Sequence, residues 1–228
     1  MPGAALAVPA YAELSHVWRE CVDLAWEAHV AGSLPIAAVV VDHEGQVVAR
    51  GRNRLSLEVA EPPHVPGTPY IAGVPLAHAE VNALLDLGYR RPGGARPTLY
   101  TTMEPCPLCM GAARMAGVGR VVFATRDAWA GCAVMAEVVP YLKRSGPTVE
   151  GPVPALEPAF SAWCVSVLLR RHDEPNAFLA TLEASLPNPF AAGRLLHESG
   201  ELSALAELGA TAEEAWATVV AALQEPPG

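Results

Sequence analysis

The sequence predicts an α/β protein in which helices cover both faces of a layered sheet. Two strand-like runs, residues 35–41 and 46–52, flank a turn and predict a hairpin at the start of the sheet. The later strands alternate with segments whose apolar residues recur at helical spacing, which is typical of a sheet covered on both sides. A hydrophobic fraction of 51% in 228 residues is enough for a core without disulfide staples.

The remaining elements of this first part follow in order, and glycine or proline residues mark most of their ends. We predict helices at residues 11–31, 78–87, 106–116 and 134–144, and strands at residues 98–102 and 118–125. The segment 55–74 is rich in proline, so we expect no regular element there.

We divide the chain into residues 1–150, which carry the motifs described below, and residues 151–228, a mainly helical C-terminal extension packing on the core. Helices are predicted near residues 159–171, 176–186 and 212–223, and Thr211 with Glu214 forms a capping box at the last of them. The sequence leaves the role of this extension open between covering the sheet, building a dimer contact and closing a pocket.

Charge and composition narrow the class of partner. The net charge is −9, and the basic clusters are short, which disfavours a long nucleic acid as partner. No run of eighteen apolar residues occurs, so no membrane span is expected. Residues 1–10 do not resemble a secretion signal, and five cysteines, an odd number, favour reduced thiols or metal ligation over disulfides. We therefore expect a cytoplasmic protein.

Two short motifs carry the chemistry: His-Ala-Glu at residues 78–80 and Pro-Cys-Pro-Leu-Cys at residues 105–109. Zinc prefers thiolate sulfur and imidazole nitrogen in a tetrahedron, which predicts one Zn²⁺ held by His78, Cys106 and Cys109. Both motifs open a predicted helix, where unpaired N–H groups and the helix dipole stabilise thiolates. Residues two apart in a helix point to nearly opposite sides. His78 and Glu80 therefore share a cavity only if His78 lies at the helix mouth.

Three protein ligands leave the fourth corner for water or hydroxide, which is typical of a catalytic zinc, and Glu80 is then the proton carrier. Other interpretations remain open. His78 and Glu80 could be ordinary surface residues, and the two cysteines could form a redox dithiol. The zinc could also be structural, with a fourth ligand chosen from Cys132, Cys164 and His64.

These residues resemble the cytidine/deoxycytidylate deaminase superfamily, whose signature is H-x-E followed by P-C-x-x-C. The resemblance covers residues 35–134, and Cys-Met-Gly-Ala at 109–112 is more similar to guanine deaminases and tRNA adenosine deaminases than to small cytidine deaminases. It implies a three-layer α/β/α fold with a five-stranded mixed sheet, assembled as a homodimer. Residues 1–150 would then be the zinc-dependent deaminase domain.

The resemblance also implies the roles of individual residues. Activated water attacks the ring carbon that carries the amino group, while Glu80 moves protons to the ring nitrogen and then to the departing ammonia. Asn53 would hydrogen-bond the base or sugar, and the backbone N–H of Ala79 would bond a ring substituent. A turn-forming role is the alternative for Asn53. Tyr70 and Trp129 are candidates for stacking on the ring, with ordinary packing as the alternative.

The sequence thus predicts an aminohydrolase acting on a small nucleobase or nucleoside that is purine-like, such as guanine, adenine or their nucleosides. The alternatives are a tRNA adenosine deaminase, an aminohydrolase of a pyrimidine or triazine ring, and a non-catalytic zinc-stabilised binding module. We hypothesise that residues 55–74 form a lid or wall that narrows substrate choice, because long irregular loops are often functional.

Overall fold

The computed structural model describes residues 7–55, 70–88, 95–172 and 176–225. They contain one sheet of five strands in the order β2-β1-β3-β4-β5. The strands are β1 (Ala37–Val41), β2 (Val47–Arg52), β3 (Thr98–Met103), β4 (Arg120–Thr125) and β5 (Thr148–Glu150). β1 pairs antiparallel with both β2 and β3, whereas β3, β4 and β5 run parallel. The predicted five-stranded mixed sheet is confirmed.

Helices cover both faces of this sheet. They are α1 (His16–Val30), α2 (Ala79–Leu87), α3 (Pro107–Met115), α4 (Met135–Val138), α5 (Pro140–Ser145), α6 (Glu157–Leu168), α7 (Ala177–Ser185), α8 (Pro187–Ser199), α9 (Glu201–Glu207) and α10 (Ala212–Ala222). Alternate residues of β1 enter two separate cores. Ala37, Val39 and Val41 pack with α1, α6 and the C-terminal helices, and Ala38 and Val40 pack with α2 and α3. The three-layer α/β/α fold is therefore confirmed.

The C-terminal helices continue the core on the α1 face. Trp163 of α6 and Trp216 of α10 are fully buried in the same cluster as Val39. The indole N–H of Trp216 donates to the Pro9 carbonyl at 2.9 Å, and that of Trp26 donates to the Ala210 carbonyl at 2.8 Å. The division of the chain at residue 150 stays a prediction.

Several elements differ from the sequence prediction. The helix predicted at residues 134–144 is two short helices, because Pro140 has no N–H with which to continue α4 and instead begins α5. The first predicted helix begins later, at His16, after a short 3-10 turn. β5, α8 and α9 were not predicted. β5 has only three residues, and the prolines at the start of α8 suggest a connector although proline is tolerated in a first helical turn.

Other sequence predictions concern single features. The capping box between Thr211 and Glu214 is present at the start of α10. All five cysteines are free thiols. Within the described residues, none of the helices combines the length and apolar character that crossing a bilayer demands.

Candidate metal centre and active site

The three predicted metal ligands come from the mouths of two helices. His78 is the N-cap of α2 and Cys106 is the N-cap of α3, both in extended backbone conformation. Cys109 lies in the first turn of α3, which begins at Pro107, a position where the missing N–H costs nothing. His78 therefore precedes the helical spiral, which is the geometry that lets it share a cavity with Glu80.

The spacing of the three ligand atoms tests whether zinc fits. The Cys106 and Cys109 Sγ atoms are 3.7 Å apart, and the His78 Nδ1 lies 3.7 Å from the Cys106 Sγ and 3.5 Å from the Cys109 Sγ. A tetrahedral zinc with ordinary bond lengths separates two sulfurs by about 3.8 Å, and a sulfur from a nitrogen by about 3.6 Å. The donors are thus arranged as three corners of a zinc tetrahedron, and this group could hold one zinc ion.

The two thiols have opposite protonation tendencies. Hydrogen bonding with Cys109 and with His78 lowers the pKa of Cys106 to about 4, despite its partial burial. The same hydrogen bond to Cys106, together with burial, raises the pKa of Cys109. Zinc binds thiolates, so a metal bound here would displace the thiol protons. The hydrogen bond with the Cys106 sulfur also raises the pKa of His78.

Glu80 lies beside this group without belonging to it. Its side chain is buried, that burial raises its pKa, and the neighbouring His78 partly opposes the rise. Its oxygens are not part of the cluster of three ligand atoms that all lie within 4.8 Å of one another. A buried carboxyl that is near a metal but not bound to it is suited to proton transfer.

The candidates for a fourth protein ligand are not in the cluster. Among the described residues, no other His, Cys, Asp or Glu atom joins the three. Cys132 is near enough to Cys106 for its pKa to be raised in part by that neighbour, yet it is not in the group. Cys164 is buried on α6, where its thiol faces the Pro35 carbonyl. His64 lies outside the described residues.

Asn53 and Ala79 are placed at the same end of the sheet. Asn53 is buried at the end of β2, and its side-chain oxygen accepts from the Leu55 N–H at 3.0 Å. That bond is the turn-forming role considered as the alternative for Asn53, and its substrate role stays a prediction. Ala79 is the first residue of α2, where a backbone N–H has no intrahelical acceptor.

The two aromatic candidates make contacts within the protein. The Arg54 guanidinium lies over the ring of Tyr70, 4.1 Å from its centroid. Trp129 is exposed and contacts Phe178 of α7 edge-on, with ring centroids 5.4 Å apart. Both contacts are ordinary packing, and stacking on a substrate ring stays a prediction for both residues. The hypothesis of a lid at residues 55–74 falls largely on residues outside the described part.

Two supporting residues were not predicted. Asn82 of α2 is buried, accepts from the Ile71 N–H at 2.8 Å and donates to the Arg52 carbonyl at 3.1 Å. It therefore joins the last part of the proline-rich segment 55–74 to the end of β2. The feature of the sequence that could have indicated this role is the position of Asn82, two residues after Glu80.

The second supporting residue is Glu104, which directly precedes the cysteine motif. Its carboxylate accepts from the Ala133 N–H at 3.0 Å and the Asp127 N–H at 3.3 Å. Glu104 thus holds the loop after β4 against the start of α3. Both Glu104 and Asn82 position the segments around the three ligands.

Comparison with known proteins agrees with this geometry. Residues 12–125, half of the chain, match the family model for the cytidine and deoxycytidylate deaminase zinc-binding region. The chain belongs to the cytidine and deoxycytidylate deaminase superfamily. The matched region of this deaminase-family chain includes His78, Glu80, Cys106 and Cys109.

Relatives of this deaminase-family chain have several activities. The tRNA-specific adenosine deaminase of Bacillus subtilis is 36% identical over 118 residues, which is 50% of this chain and 63% of that protein. The tRNA(Ile)-lysidine synthase of Deinococcus radiodurans is 34% identical over 114 residues, 49% of this chain and 17% of that protein. The chain thus spans less than two thirds of either relative.

Among solved structures, a guanine deaminase from Nitrosomonas europaea is 27% identical. The match covers 72% of this chain and 85% of that chain, with a TM-score of 0.42. This overlap supports no conclusion about substrate.

Proposed function

We propose that the chain is a zinc-dependent aminohydrolase that releases ammonia from a small, purine-like nucleobase or nucleoside. The observation that carries the proposal is the arrangement of three donor atoms at tetrahedral spacing beside a buried carboxyl that is not one of them. A structural zinc site has no use for such a carboxyl, whereas hydrolysis of a cyclic amidine needs a group that moves protons.

His78, Cys106 and Cys109 would hold the metal. Zinc in this position supplies Lewis acidity, which lowers the pKa of water to about 7. The carboxylate of Glu80 accepts a proton from the attacking water and delivers it to the ring nitrogen beside the reacting carbon. The second water proton passes through the same carboxyl to the amino group, and the C–N bond breaks to release ammonia. The ring is left with a carbonyl and an N–H.

The acid excess favours a small substrate. A protein that grips tRNA neutralises phosphates with lysine and arginine, and this chain has 15 of them against 24 acidic residues. The similarity to a tRNA-specific adenosine deaminase nevertheless makes tRNA adenosine the second candidate substrate. Pyrimidine and triazine rings are further alternatives, because they present the same N–C–NH₂ unit. A zinc-stabilised binding module is the alternative without catalysis.

An ammonia-release screen with the purified zinc-loaded protein separates these candidates. Aminopurines, their nucleosides, aminopyrimidines, aminotriazines and an anticodon stem-loop are each supplied at low and at high salt. We expect ammonia from an aminopurine or its nucleoside at a rate that salt changes little. Turnover of the stem-loop alone, falling steeply with salt, would replace our proposal by the tRNA-acting one. No ammonia from any of them would favour the binding module.

We also propose that the chain forms a homodimer through helices α3, α4 and α5. These helices contact one another and expose large apolar side chains, a pattern typical of protein interfaces. The exposed side chains are those of Leu108, Met115, Val134, Val138 and Tyr141.

Light scattering tests this surface. Val138→Asp should yield monomers, whereas Leu208→Asp, at another exposed apolar position just after α9, should leave a dimer. A wild-type protein that is monomeric at micromolar concentration would refute the proposal. We further infer a cytoplasmic location from the five free thiols.

A further inference from the structure

A cavity of about 100 Å³ lies at the end of the sheet where β3 and β4 finish, beneath α6 and α7. Its walls are mainly apolar. They include Ile36, which directly precedes β1, and Met103 of β3, with Leu168, Phe178 and Leu182 from the two helices. The mechanism described above makes no use of this cavity.

The cavity shares its sheet-side walls with segments that build the metal centre. The Ile36 carbonyl accepts the Asn53 N–H at 2.9 Å. Met103 directly precedes Glu104, which leads into the cysteine motif. Asp127, also on the cavity wall, has its N–H bonded to the Glu104 carboxylate. The cavity and the metal centre therefore lie at the same end of the sheet.

Three polar side chains on the cavity wall are already bonded within the protein. Arg126 forms a two-pronged ion pair with Glu157 at 2.6 and 3.1 Å. The Asp127 carboxylate accepts hydrogen bonds from the backbone N–H groups of Trp129 and Ala130 at 2.9 and 3.0 Å. Ser185 donates to the Thr181 carbonyl at 2.9 Å. Ser161 adds one further hydroxyl to the wall. With the other polar groups engaged within the protein, the mainly apolar wall favours an apolar occupant.

The helix side of the cavity comes from outside the region that matches the deaminase family. The match ends at residue 125, and α6 and α7 lie beyond it. The edge-on contact between Trp129 and Phe178, with centroids 5.4 Å apart, holds α7 against the loop that follows β4. The C-terminal extension therefore supplies the helix-side wall of the cavity.

We propose that this cavity is a subsite that takes a small apolar substituent of the substrate ring. The inference rests on the proposed deaminase function and names the substrate more closely, as a free aminated heteroaromatic ring with an alkyl group of a few carbons. The cavity is smaller than an apolar cavity of about 150 Å³ that accommodates benzene. A ribose here would lose water from its hydroxyls with few partners to replace it, so the cavity suits an alkyl group better than a sugar.

Binding, measured by calorimetry on the zinc-loaded protein, tests the subsite independently of turnover. The ligands are adenine and its 2-, 8- and N9-ethyl derivatives. Varying the position of the ethyl group identifies which position of the ring faces the cavity. We expect one ethyl derivative to bind roughly tenfold more tightly than adenine, as burial of two carbon groups implies. Equal or weaker binding of all three ethyl derivatives, or no binding of any ring, overturns the subsite.

Two variants of α7 show whether the preference arises in the cavity. Leu182→Trp fills the cavity and should abolish the ethyl preference while zinc content is retained. Glu183→Trp places the same bulk on the neighbouring exposed position and should behave as the wild type. Phe178→Ala enlarges the cavity and should move the preference from ethyl to butyl. This variant tests the subsite even if Leu182→Trp does not fold.

The outcomes also separate the subsite from the proposed function. An ethyl preference that persists in both cavity variants refutes the subsite alone. A protein that shows the preference and loses it in Leu182→Trp, yet releases no ammonia from any ring, refutes the deaminase function and leaves an apolar binding site. Ammonia release without an ethyl preference refutes the subsite and supports the deaminase function.

Discussion

Gly51 of β2 and Ala83 of α2 are in direct backbone contact. A Cβ on Gly51 would lie 2.2 Å from the Ala83 backbone nitrogen and 2.3 Å from the Ala79 carbonyl oxygen. α2 therefore rests on the sheet at a distance that only glycine allows. Because His78 and Glu80 lie at the start of α2, this contact sets their position relative to the cysteines of α3.

Replacing Gly51 by alanine should push α2 away from β2. We expect a loss of about 1–3 kcal/mol in the free energy of unfolding, the usual effect of overpacking, together with weaker zinc binding. Urea unfolding and metal analysis measure the two effects. Gly111→Ala is the matched control on α3, because a Cβ there meets no atom within 4 Å. Equal stability and zinc affinity in the two variants would show that the contact is unimportant.

Glu80→Gln should separate proton transfer from metal binding. The amide keeps the shape of the side chain but carries no proton between water and substrate. Zinc content should be retained while ammonia release falls by at least about 10²- to 10⁴-fold. Glu137→Gln, at an exposed position on α4, should retain full activity. Undiminished turnover in Glu80→Gln would exclude Glu80 as the proton carrier.

The cysteines should differ in their importance for zinc. Cys109→Ser should lose most bound zinc, because a hydroxyl is a poor replacement for a thiolate ligand. Cys132→Ser should keep one zinc per chain, since Cys132 is outside the donor cluster. Metal analysis after dialysis checks both. Zinc loss in Cys132→Ser would revive the closed structural site.

His29 should make stability depend on pH. It stacks on Trp26, and its Nδ1 accepts the Trp163 indole N–H at 3.2 Å. Burial, with a smaller effect from Arg170, lowers its pKa from 6.5 to about 4. As the pH falls, the unfolded chain therefore binds a proton at His29 before the folded chain does. The free energy of unfolding decreases for this reason as the pH drops from about 7 towards 4. The loss is about 3 kcal/mol below that range.

His29→Asn tests that assignment. Asparagine offers an oxygen near the position of Nδ1 but does not ionise, so the variant should be less stable at pH 7 and change less between pH 7 and 4. His43→Asn removes an exposed histidine and should keep the wild-type pH dependence. Identical pH profiles for His29→Asn and the wild type would contradict the assignment.

The sequence could predict what is local. Cysteines three residues apart at a helix start must point to one place, and a histidine that shares a cavity with the acid two residues later must precede the helix. Contacts between distant segments have no such signature. The bond from Trp26 to the Ala210 carbonyl joins residues 184 apart, and the contact of Trp129 with Phe178 depends on where α7 lies. The cavity beneath α6 and α7 was therefore beyond sequence-based prediction.

The most direct test of the central claim is X-ray absorption at the zinc edge, combined with metal analysis of the purified protein. We predict one zinc per chain with two sulfur ligands at about 2.3 Å and one imidazole nitrogen at about 2.0–2.1 Å. A fourth ligand that is a water oxygen should complete the shell. A third sulfur, a second imidazole or the absence of bound zinc would contradict an open catalytic centre formed by His78, Cys106 and Cys109.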